Sequence, residues 1–87
     1  MNILSWALKI FSLLPLIANG VHQVQQDLSP AGLNSKLAAA QDALTLASEG
    51  SIALLPEADQ SLATAIASTA STALASTVTA LHTAANK

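Results

Sequence analysis

The sequence predicts an all-α chain of two or three helices: a kinked apolar N-terminal helix, a short middle helix and a long Ala/Ser/Thr-rich C-terminal helix. Three observations predict it. Apolar residues recur every three or four positions in three separate stretches, which is the period of a helix face and not of a strand. Breaker residues fall together between those stretches, at Ser29-Pro30 with Gly32 and from Gly50 to Pro56. The last stretch, "SLATAIASTASTALASTVTALHTAA" over residues 61–85, has no Asp, Glu, Lys, Arg, Gly, Pro or aromatic residue. The chain reads as one small domain over residues 1–87, with its helices at 1–28, 33–50 and 56–85.

The first helix comes from "NILSWALKIFSLLPLIAN", residues 2–19. On a helical wheel Asn2, Ser5, Lys9, Ser12 and Asn19 form one narrow polar stripe, and Ile3, Leu4, Leu13 and other apolar side chains cover the rest. A helix apolar around most of its circumference is buried in protein or in a membrane. Trp6, Ile10, Phe11, Leu14 and Ile17 are the candidates for that core or membrane contact. Pro15 lacks a backbone donor and crowds the carbonyl of Phe11, so a kink is expected between them. The run is about the shortest that spans a bilayer, and Lys9 near its middle counts against spanning. Its positive charge sits at Lys9 and not beside Met1, so a cleaved, secreted form is not expected.

The middle helix carries Leu33, Leu37, Ala40, Leu44 and Ala47 at alternating spacings of four and three, a single apolar seam. Asn34 or Ser35 can cap it and Gly50 can close it. Lys36, Gln41, Asp42, Ser48 and Glu49 are expected mostly off that seam. Pro56 then suits the first turn of the last helix, with Glu57 and Asp59 complementing its positive end. Along this helix Leu62, Ile66, Ala70, Leu74, Val78 and Leu81 step by four, four, four, four and three. Their neighbours are Ala, Ser and Thr, which let backbones approach closely, and the hydroxyls can bond back to their own helix. An isolated soluble helix normally carries charge pairs on its outer face. This one has none, so packing on more than one side is expected, in an oligomer whose interface candidates are Leu37, Leu44, Leu62, Ile66, Leu74, Val78 and Leu81.

Composition supports a covered surface. Charged residues make up 9% of 87 residues against 52% hydrophobic, where an ordinary soluble domain has about 25% charged. The expected partners are copies of the chain, other assembly subunits, or a membrane met through residues 3–19. The net charge is −2, Arg is absent, and Lys9, Lys36 and Lys87 are scattered, so nucleic acid is not an expected partner. There is no Cys, which excludes disulfides and thiol chemistry.

The residues offer little to catalysis. His22 and His82 fall on different helices with no acid within four residues, and each is expected to be a polar boundary residue. Glu57 and Asp59 are two positions apart and do not face each other on a helix. No Gly-x-Ser-x-Gly turn and no Gly-rich phosphate loop occurs. The expectation is a protein that is not an enzyme, with no catalytic, cofactor-binding or metal residues.

In order along the chain, a Leu/Ile-rich segment broken by Pro ("LLPLIANGVHQV") leads to a Ser/Gly turn ("LSPAGLNSKLAAAQDAL") and an Ala/Thr-rich helix after Leu-Pro ("LLPEADQSLATAIA"). This pattern resembles small phage- and prophage-encoded helical proteins of unassigned activity. The two hydrophobic stretches also resemble small holins, although this chain lacks a charged tail beyond Lys87 and its second stretch is weakly hydrophobic. The resemblance transfers no functional residues. It implies a location in a virion or a host membrane. The expected function is a non-enzymatic structural subunit of a multi-copy assembly, a virion component joined by Ala-rich helix packing. The alternative is a membrane-inserted phage protein, either a holin-type pore former or a virion membrane protein.

Overall fold

The computed structural model describes residues 2–86. They form three α-helices: α1 at Ile3–Val24, α2 at Pro30–Ile52 and α3 at Glu57–Ala85. Successive helices run antiparallel, each packs against the other two, and the bundle measures 45 × 17 × 16 Å. The all-α expectation holds, with three helices and no strand among the described residues. The outermost expected bounds, residue 1 for the first helix and residue 87 for the domain, lie outside the described residues.

α1 starts where Asn2 caps it, its side-chain oxygen accepting from the Ser5 N–H at 2.7 Å. It runs on through Pro15 to Val24. Proline leaves the Phe11 carbonyl without its helical donor, and both Phe11 and Pro15 lie on the exposed side, where water can satisfy that carbonyl. The helix ends four residues before the expected Leu28. Gln25 is already extended, and Asp27 Oδ1 accepts from the Ser29 N–H at 2.9 Å, a local side-chain bond that competes with helix continuation.

α2 begins at Pro30, not at Asn34 or Ser35. Ser29 is the cap, its hydroxyl accepting from the Gly32 N–H at 3.1 Å, and Pro30 occupies the first turn, where a missing N–H costs nothing. The same Ser-Pro pair that reads as a loop is thus a helix start. Gly50 does not close α2. No glycine adopts a positive φ among the described residues, and the helix continues to Ile52. Gly32 has a different role. A Cβ there would run into the backbone carbonyl of Asp27, so this position lets the connection fold tightly over α2. Gly32→Ala is expected to cost about 1–3 kcal/mol, read as a lowered urea midpoint, because a backbone carbonyl and not a flexible side chain must move.

The core is built from lines of buried residues four apart. They are Trp6, Ile10, Leu14 and Ala18 on α1, Gly32, Lys36, Ala40, Leu44 and Ser48 on α2, and Ala70, Leu74, Val78 and His82 on α3, with Ala63 one stretch earlier. A step of four overshoots the helical repeat by about 40°, so each line drifts around its helix. Half-buried neighbours such as Ile17, Val21, Leu37, Ile66 and Leu81 pack against the lines. α1 supplies the one large aromatic, and α3 adds Leu74 and Val78 together with fully buried Ala63 and Ala70, small residues that allow close approach. Trp6 is 1% exposed and its indole N–H donates to Ser51 Oγ at 2.7 Å, pinning the start of α1 to the end of α2.

Candidate functional site

At the other end of the bundle one ionisable side chain from each helix converges. His22 stands in the last turn of α1, Lys36 in the second turn of α2 and His82 in the last turn of α3. Lys36 Nζ lies 3.0 Å from His82 Nδ1 and 3.3 Å from His22 Nδ1. Lys36 is 0% exposed, His82 is buried and His22 is half-buried. One turn away on either side of Lys36 stand Gly32 and Ala40, both buried on the same line of α2. An ammonium this deep must be hydrogen-bonded, and the two imidazole nitrogens supply that. Asp27, in the α1–α2 connection, feels the same charges. Its carboxyl is held below the usual range, first by the Ser29 backbone N–H, then by the Ser29 side chain, and more weakly by the fields of Lys36 and His82.

The two histidines expected at the boundary are therefore brought together, and the lysine expected off the seam is the most buried charge among the described residues. A sequence signal for this existed. His22 stands four residues after Ala18 in the line from Trp6, and His82 stands four after Val78 in the line from Leu74. A spacing of four would have carried both into the core, and Lys36, four before Ala40, with them.

Comparison with protein-family models, curated proteins and solved structures finds no match to this chain.

The remaining surface has two features. A shallow groove of about 340 Å³ lies between α2 and α3, walled by Leu44, Ser48, Ile52, Thr64, Ala67 and Ser71. Two of its hydroxyls are turned inward on their own helices: Ser48 donates to the Thr45 carbonyl at 3.2 Å and Thr64 to the Gln60 carbonyl at 3.0 Å. Among the described residues no three His, Asp or Glu side chains gather as a metal site. The second feature is the outer face of α1, where Leu4, Leu8, Phe11 and Pro15 follow one another at helical spacing in solvent. Leu4 and Leu8 are 68% and 65% exposed; Leu16, 69% exposed, stands apart from them among Ser5, Lys9 and Ser12. α1 is long and apolar enough to cross a membrane by length and composition, a test that core helices and signal sequences also meet.

The sequence candidates divide accordingly. Trp6, Ile10 and Leu14 lie in the chain's own core, Ile17 is half-buried against it, and Phe11 faces outward. Leu44, Leu74 and Val78 also close this core and have no free surface to give another subunit. Leu37, Ile66 and Leu81 pack at its edge, and Leu62, 53% exposed, is free.

Proposed function

We propose that the chain is a non-enzymatic structural subunit of a multi-copy assembly such as a virion, and that copies meet through the outer face of α1. One observation carries this reading: Leu4 and Leu8 remain about two-thirds exposed, with Phe11 next on the same line also exposed, after the chain has closed its own core. An apolar stripe of this kind on a small soluble unit marks a contact surface. The outer face of α3 is suited to the same use. From Gln60 to Asn86 it carries no charged residue, and Thr64, Thr69, Thr72, Thr77 and Thr79 each donate their hydroxyl to the carbonyl four residues earlier. Their protons need no further acceptor, so their methyl groups can be covered at little cost.

Sedimentation of the purified chain without detergent tests the reading. The wild type is expected to form a discrete oligomer, and Leu4→Glu combined with Leu8→Glu is expected to give a monomer of unchanged helicity. A wild-type monomer at every accessible concentration would sink it.

The length and apolar composition of α1 favour a second reading, a membrane-inserted protein of the pore-forming or virion-membrane kind. It would require α1 to leave the bundle and break the Trp6–Ser51 bond, or to lie on lipid through its outer face alone. Membrane association resistant to alkaline carbonate would support it; recovery from native material in the soluble fraction counts against it.

A further inference from the structure

His22, Lys36 and His82 tie α1, α2 and α3 together at a single point. A lysine ammonium carries three donor protons and no acceptor, so each Nδ1 beside it must offer a lone pair. Both rings then carry their proton on Nε2. A histidinium has no lone pair left, because both ring nitrogens are donors. Protonating His82 would delete the 3.0 Å bond and set one cation against another where both Lys36 and His82 are buried.

We propose that this trio is an acid-released latch that fastens the last turns of α3 and the α1–α2 connection to the bundle. The described ionisable groups at this end are His22 from α1, Asp27 from the connection, Lys36 from α2 and His82 from α3. The closed latch needs both imidazoles neutral, and the open one lets them take up protons. The open state therefore binds more protons, so the closed state is favoured at neutral pH and loses ground as pH falls. Asp27 does not reverse this sign. Its carboxyl is held below the usual carboxylate range, so its charge is constant while imidazoles titrate. The segment released includes Asn86, whose side-chain amide donates to the Leu28 carbonyl at 3.3 Å, closing the connection over the end of α3. The opposite end, where Trp6 meets Ser51, contains no histidine and serves as an internal control.

The test is hydrogen exchange on the full chain at about pH 7.5 and about pH 5.5, the range over which imidazoles charge, with intrinsic rates divided out. Protection of amides 78–83 is expected to fall about tenfold per pH unit for each coupled proton, while amides 44–52 keep theirs. Nitrogen NMR at the higher pH is expected to find both Nδ1 atoms unprotonated. In the double variant His22→Gln and His82→Gln, amide oxygens still accept from Lys36 but cannot titrate, and the pH dependence should vanish. Unchanged protection at residues 78–83, equal loss at both ends, or a proton on both Nδ1 atoms at neutral pH would each overturn the proposal. All three are read on the wild type and do not depend on the variant's folding.

Discussion

Replacing Trp6 with alanine is expected to lower the unfolding free energy by about 3–5 kcal/mol, as measured by urea denaturation. The indole is 1% exposed and belongs to a core with only eleven buried apolar residues among those described. Its removal would leave a void bounded partly by helix backbone, which cannot collapse to fill it. Small domains are held together by about 5–15 kcal/mol in all, so this variant should be at or near the edge of folding. Trp6→Phe separates two contributions. It keeps much of the apolar volume but loses the indole N–H, and the single Ser51 hydroxyl proton keeps the Ala47 and Ser48 carbonyls as its acceptors. Ser51 is therefore not stranded, and the lost Trp6–Ser51 bond itself should account for about 1 kcal/mol. If Trp6→Ala unfolds at nearly the wild-type midpoint, α1 is not held in the bundle by this side chain.

The three helices were legible because each repeats apolar residues at helical spacing and breakers separate them. The polar stripe of α1 was legible too: Asn2, Ser5, Lys9, Ser12 and Asn19 all face solvent. The helix ends were less so. Ser29-Pro30 serves equally as a loop or as a cap with its first turn, and only the packing of Gly32 under Asp27 decides between them. The ionisable cluster was hidden for another reason. Sequence patterning assigns a residue to the core by its polarity, whereas in α2 the register of four assigns it by position, and Lys36 and Ser48 are buried with Ala40 and Leu44. A polar residue can hold such a place only if partners meet it there. Those partners, His22 and His82, are 14 and 46 residues away and become visible only once three helices are assembled.

Leu74→Ala and Leu62→Ala form the sharpest pair of substitutions, because the sequence sets both residues on one apolar line and the fold separates them. Leu74 is 0% exposed and lies among α1 and α2 side chains; Leu62, three turns earlier, is 53% exposed. The line steps by four from Leu62 to Ile66, Ala70, Leu74 and Val78. Each step rotates it by about 40°, so a line centred on the core at Leu74 has turned away by Leu62. There the buried place belongs to Ala63 instead. Leu74→Ala is accordingly expected to cost about 2–5 kcal/mol of unfolding free energy. Leu62→Ala should change it by less than about 0.5 kcal/mol in the monomer. The two variants also separate folding from assembly. If copies cover α3 around Leu62 as well as the outer face of α1, Leu62→Ala should weaken association in sedimentation while leaving the urea midpoint of the isolated chain unmoved. Equal association of Leu62→Ala and wild type would confine the contact to α1, where Leu4, Leu8 and Phe11 would have to bear it alone.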